Sequence, residues 1–291
     1  MRKTRGFLFL VAGVLATLLA GCQTQPTRMY ESSAKKTEAQ KFSLDTVFLD
    51  ARPPFDAATA PINGATNIQW SEFTEREMHR SGNLEGDLYP QARRLARLGI
   101  SRETPVVILG KVHSGNGEDG RLAWTLKVMG VQNIRILAAD QLSESLSQSE
   151  KKVEKTAELW KPQEVEPFIV TRREFVQRIV KPNPQVVILD VRTESEYLGK
   201  REVGLPKKVP DVGAMNIPWT EFFKPTGEVE SGIREKLAQV GVTSDKEILI
   251  ISNQGIRSGA VAFALMELGF KKVRNVSGGY LELLSTEAGK R

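Results

Sequence analysis

Thiols and imidazoles are almost missing from this chain. Its 291 residues include one cysteine, Cys22, and two histidines, His79 and His113. A single cysteine excludes an intramolecular disulfide. Both histidines fall in the first half, so chemistry placed in the second half has no histidine base from its own segment. Long apolar runs are scarce too. The one that stands out, FLFLVAGVLATLLA, follows a basic MRKTRG and closes on LAGC. It is too short and wrongly flanked for a permanent transmembrane helix and reads as a secretory signal. Charge of one sign is not in large excess: the formal net charge is +6, and losing Arg2, Lys3 and Arg5 with the signal leaves +3. With no basic patch interleaved with aromatics, nucleic acid is not an expected partner. The segment HSGNGEDG lacks both a GK[ST] ending and the acidic spacing of a calcium loop, so no metal or cofactor is expected. Apolar residues at 40% and charged residues at 26% are ordinary for a globular protein, and the length allows two domains.

Leu19, Ala20, Gly21 and Cys22 resemble the lipobox of bacterial lipoproteins. The resemblance implies removal of residues 1–21, a diacylglycerol thioether on Cys22, and attachment to a membrane through that lipid. Gln23, where an Asp would favour the inner membrane, points to the outer membrane with the protein facing the periplasm. A lipidated Cys22 has no thiolate left. Residues 22–40 are polar and aperiodic and read as a tether.

The rest of the chain repeats itself. VFLDAR (47–52) recurs as VILDVR (187–192), GATNIQWSEF (64–73) as GAMNIPWTEF (213–222), LARLGISRETPVVIL (95–109) as LAQVGVTSDKEILII (237–251), and LKVMGVQNIRIL (126–137) as LMELGFKKVRNV (265–276). Four blocks in one order define two units, 41–160 and 161–291, joined by a charged, Pro-punctuated stretch. Continuous apolar runs such as Ile248–Ile251 fit strands buried on both faces, and they alternate with helical periodicity. The expected fold is α/β, each unit a central, mostly parallel sheet flanked by helices. Thr171 and Glu174 have the spacing of a capping box at the first helix of the second unit.

Together these blocks, with VSGGY (276–280), resemble the tandem rhodaneses, a family of two-domain sulfurtransferases. The resemblance implies two rhodanese-like domains, the first inactive and the second carrying a nucleophilic Cys at the start of a six-residue loop. Here that loop reads Ser252, Asn253, Gln254, Gly255, Ile256 and Arg257. The corresponding stretch of the first unit, Gly110 to Arg121, is expected to be three residues longer and to begin with Gly110. The resemblance also puts Asp190 and Arg192 beside the site in a supporting role. Trp70 and Trp219 are expected in the core or at the interface between units.

Rhodanese chemistry needs a thiolate that takes the outer sulfur of thiosulfate as a persulfide. A Ser hydroxyl without a neighbouring base is a poor nucleophile. What the loop retains is an anion cradle: successive backbone N–H groups, the positive end of a helix expected to start near Ser258, and Gly255 at the turn. Arg257 either adds a fork of donors for an oxyanion or pairs with a nearby carboxylate. The expected function is therefore a lipid-anchored, catalytically inactive module that binds a small oxyanion (thiosulfate, sulfate or phosphate) or an envelope protein partner. The alternative is an active enzyme, either sulfurtransferase-like or a hydrolase using Ser252 or the His113 loop.

Overall fold

A computed structural model describes residues 42–141, 156–201, 204–205 and 208–285. The signal, Cys22 and nearly all of the tether lie outside these residues. No helix among them is long and apolar enough to cross a membrane.

The first unit is built on strands β1 (Val47–Asp50), β2 (Ala65–Asn67), β3 (Val106–Gly110) and β4 (Ile134–Ala138), paired in parallel in the order β2-β1-β3-β4. Helices α1 (Pro54–Thr59), α2 (Tyr89–Arg97) and α3 (Glu118–Val128) connect them. The second unit opens with helix α4 (Arg172–Val180). Its strands β5 (Val186–Asp190), β6 (Met215–Asn216), β7 (Glu247–Ile251) and β8 (Val273–Asn275) are again all parallel, in the order β6-β5-β7-β8. Helices α5 (Glu194–Tyr197), α6 (Ile233–Gln239), α7 (Ile256–Glu267) and α8 (Gly279–Leu284) complete it. The strands read as unbroken apolar runs because both faces are covered. Val106 and Ile108 enter the main core, while Val107 and Leu109 pack with Ile62 and Leu137 on the opposite face.

The sequence repeat has a local physical cause in each sheet. Asn67 donates its side-chain amide to the carbonyls of Asp50 and Arg52, and Asn216 does the same to Asp190 and Arg192. One asparagine thus ties down the end of each central strand and satisfies two backbone acceptors. The expected Thr171–Glu174 capping box forms only by half. Thr171 accepts the Glu174 N–H, but the Glu174 carboxylate is held by Arg274, which also reaches Glu247 and the Ile169 carbonyl. The two-way box appears instead between Thr193 and Glu196 at the start of α5.

The two units share one apolar cluster, with α3 packed along α7. The two helices approach closely at Gly120, where a Cβ would stand 2.4 Å from that of Ala260. Trp70 and Trp219 both belong to this shared core. Arg121 of α3 crosses the seam fully buried. Its guanidinium donates to the carbonyl of Gly255 at 2.7 Å and to that of Gly82 at 2.8 Å, and it lies over the rings of Trp124 and Trp70. No carboxylate pairs with it among the described residues, and burial pushes its pKa down to about 9. Two carbonyl dipoles and two indole faces therefore stand in for a counter-ion. Arg121→Ala should cost about 3–5 kcal/mol, as truncating a large buried side chain does, and it also takes from the Gly82 carbonyl its side-chain donor. Urea unfolding checks this, with Arg121→Met, which keeps most of the volume, expected to lose less. An Ala variant as stable as the parent would show that the staple is dispensable.

Candidate functional site

Strand register places Ser252 and Gly110 at equivalent positions. Asp190 pairs with Ile251 and Asp50 with Leu109, and the next residue begins each loop. Beside Ser252, Asp190 and Arg192 form a buried bidentate pair with contacts of 2.6–3.0 Å. Tyr280 donates its hydroxyl to Asp190 at 3.1 Å and lies under the Arg192 guanidinium. Burial and the neighbouring Asp190 push the Tyr280 hydroxyl far above its ordinary range, so it stays protonated and serves as a fixed donor. Asp50 and Arg52 make the corresponding pair in the first unit. Asp190, Arg192 and Tyr280 thus form one buried, mutually bonded network at the end of β5.

The Ser252 hydroxyl is buried and turned toward the helix. It accepts the Ser258 N–H at 3.3 Å and meets the Ser258 hydroxyl at 3.1 Å. Helix α7 starts earlier than expected, at Ile256, because Gly255 takes the left-handed conformation (φ 75°) that reverses the chain into it. A side chain at 255 would also strike the Ser277 carbonyl, 1.8 Å from the Cβ position. Among the described residues the N–H groups of Gln254, Gly255, Ile256 and Arg257 meet no acceptor. The remaining side chains of the loop are committed elsewhere: Gln254 donates to Ser81 of the first unit, and Asn253 to Glu196.

Arg257 settles the choice left open by its sequence position. It forms a two-pronged pair with Glu196 at 2.6 and 2.9 Å, so its fork holds the protein's own carboxylate. Thr193 donates to the same carboxylate through its N–H and its hydroxyl. Burial alone would raise the Glu196 carboxyl, but the Arg257 fork and the Thr193 donors outweigh it and hold it at about 2 against an ordinary 4.5. A cavity of about 90 Å³ adjoins this pair, lined by Arg192, Tyr197, Arg201, Leu205, Lys208 and Asn253 among others. Much of this wall comes from the 198–212 insertion that distinguishes the second unit. Ser252 does not line the cavity.

His113 is not a partner for Ser252. Its Nε2 is 2.8 Å from the Phe223 carbonyl, and its ring meets Trp219 edge-on. The hydrogen bonds of the Ser252 side chain run to Ser258, and the described residues contain no cluster able to hold a metal ion. The first unit's loop is four residues longer than the second's, not three. Its helix cap is Gly117 (φ 84°), the counterpart of Gly255, so Asp119 matches Arg257 and Arg121 matches Gly259. Sequence reasoning missed Glu196, Tyr280 and Ser258. Of these only Glu196 carried a readable signal, the T-x-x-E spacing from Thr193.

Comparison with known proteins identifies residues 171–286 as a rhodanese-like domain. Over 100 residues the chain is 30% identical to a thiosulfate sulfurtransferase of Pseudomonas aeruginosa and 29% identical to one of Azotobacter vinelandii. Each match covers 33% of this chain and only 36% of the relative's length. Among solved structures, SseA from Escherichia coli, described as a 3-mercaptopyruvate sulfotransferase, superposes with a TM-score of 0.61 at 19% identity, over 79% of this chain and 90% of its own. The anaerobic ergothioneine biosynthesis enzyme from Chlorobium limicola, solved with trimethyl histidine, gives 0.66 at 19% identity, over 84% of this chain and 63% of its own. At such identities the structural likeness establishes the fold: two parallel-sheet α/β units of rhodanese type.

The Glu196–Arg257 pair should be visible in the pH dependence of stability. Because the folded carboxyl titrates below its unfolded value, its contribution is complete above about pH 4.5 and is lost as pH falls toward 2. Urea midpoints measured down this range should fall more steeply for the parent than for Glu196→Gln. Parallel curves would mean that the pair does not form in solution.

Proposed function

We propose that this protein is an exported, lipid-anchored pair of rhodanese-like domains whose second loop binds a small oxyanion without transferring sulfur. The observation that carries this reading is Ser252. At the position where the family's nucleophile would stand, a buried hydroxyl is bonded to Ser258, with no base beside it. The sulfurtransferase activity of the relatives needs a thiolate there, and the one cysteine of this chain is Cys22. A Ser hydroxyl in this setting has nothing to take its proton, which also speaks against a hydrolase built on Ser252.

The anion-binding half of the proposal rests on three features. Four loop N–H groups have no acceptor among the described residues, the α7 N-terminus adds its positive dipole end, and Arg192, Arg201 and Lys208 line the adjoining cavity. A water takes about 30 Å³ of liquid, so some 90 Å³ has room for about three, the scale of a small tetrahedral anion and not of a cofactor. Sulfate, phosphate and thiosulfate fit this description. The tether and the lipid on Cys22 would hold the module at the periplasmic face of the outer membrane, where the anion or the tail of an envelope protein would reach it.

Two measurements test the reading. The purified chain should show no thiosulfate:cyanide sulfurtransferase activity above a blank, while Ser252→Cys should take up one sulfur atom from thiosulfate, visible by mass. Robust turnover by the parent, abolished in Ser252→Ala, would sink the proposal. In the second, sulfate at 100 times its Kd should stabilise the parent by about 2.7 kcal/mol. The Arg201→Ala/Lys208→Ala double variant should shift less at the same concentration; an equal shift would place the ion elsewhere.

A further inference from the structure

The first unit has a strand–loop–helix cradle at the equivalent place, with Gly117 at the turn where the second has Gly255. We infer that Asp119 is the resident anion of that cradle, an internal carboxylate that closes the first loop to external oxyanions. Asp119 is almost completely buried, and no cation pairs with it among the described residues. Its Oδ2 accepts the Val112 N–H at 2.8 Å and its Oδ1 the Gly120 N–H at 2.7 Å. Gly110 and Asp119 are a matched pair: a Cβ at 110 would lie 2.1 Å from Asp119 Oδ2 and 2.4 Å from its Cβ. The carboxylate therefore fills the space that a side chain at the loop's first position would need. Val112, whose N–H it captures, sits at φ 44°, an unusual conformation for a β-branched residue.

In the second loop no carboxylate takes a backbone N–H among the described residues. At the counterpart position Arg257 is drawn away to Glu196, and the second loop's N–H groups are left without acceptors. In the first loop, Glu118 additionally accepts the Asn116 N–H, so two internal carboxylates take the backbone donors of Val112, Asn116 and Gly120. Burial pushes the Asp119 carboxyl up, against the bonds from Gly120 and Val112. Gly110 also lines a cleft of about 760 Å³ at the carboxyl ends of β1, β3 and β4, next to Arg52, Lys111 and His113. An anion arriving by that cleft would meet the cradle if Asp119 were removed.

Hydrogen exchange on the full-length chain in detergent, with sulfate as the probe, tests this loop by loop. In the parent, peptides covering 108–122 should exchange at the same rate with and without sulfate. In Asp119→Ala the same peptides should slow about tenfold when sulfate is at about nine times its Kd. Asp119→Asn, whose amide oxygen still fills the space and accepts the Val112 N–H, should show no such gain. If the Ala variant does not fold, Asp119→Ser removes the same reach and carries the same expectation. A first loop already protected by sulfate in the parent, or one that stays indifferent in the folded Ala or Ser variant, overturns the inference. It borrows from the proposed function only the choice of probe. A second loop that ignores sulfate while the Asp119→Ala loop responds would defeat that proposal and leave this inference standing.

Discussion

One buried cation ties the two units together at the candidate site. Arg121 leaves a helix of the first unit and donates to the carbonyl of Gly255, the residue that turns the second unit's loop into α7. Asn275 donates to the same carbonyl from within the second unit. The apex of the candidate site is thus held from both sides, half of its support coming from a unit with no nucleophile of its own. A guanidinium with no carboxylate partner is costly to bury, and here it is tolerated because two carbonyls and two tryptophan faces surround it. Such an arrangement has little slack. The position of Gly255 follows from the packing of α3 on α7 and not from the loop alone.

That dependence gives the first unit a structural role at the second unit's loop. Its segment at Ser81 and Gly82 lies against the second loop, where Ser81 receives the Gln254 amide and Gly82 approaches the Gln254 and Ser277 carbonyls too closely for any side chain. The two loops have also diverged in opposite electrostatic directions. The first turned an acid inward over a glycine, and the second drew its arginine outward onto an acid. Both solutions satisfy charges that would otherwise be stranded near a helix N-terminus, but only in the first do carboxylates of the loop itself take backbone donors.

How far the sequence carried the reading depends on the range of each interaction. The fold was legible because the repeat, the apolar strand runs and the turn glycines are local patterns with a fixed period. The place of Ser252 was legible for the same reason, since it is one residue beyond a strand whose twin is visible upstream. The fate of Arg257 was not. Whether its fork meets a ligand or Glu196, 61 residues away, is decided by how α5 packs on the loop, and no spacing rule spans that distance. Arg121 was opaque for a related reason. Read as the end of a longer loop it matched Arg257, whereas the helix cap at Gly117 shifts the register and sends it into the seam. Asp119 looked like one more acid in a surface loop, because the emptiness at Gly110 that receives it is a property of three dimensions.

The serine itself is better suited to this loop as structure than a thiol would be. A hydroxyl both donates and accepts strongly, whereas a thiol does each weakly. At position 252 the hydroxyl accepts an orphan N–H of the α7 first turn and meets a second hydroxyl, the kind of satisfaction that stabilises a helix start. An active rhodanese loop must leave that position reactive and under-bonded, which is the usual conflict between stability and chemistry. The rest of the shell, from the Asp190–Arg192 pair to the Glu196–Arg257 pair, is held by its own hydrogen bonds and takes none from the residue at 252.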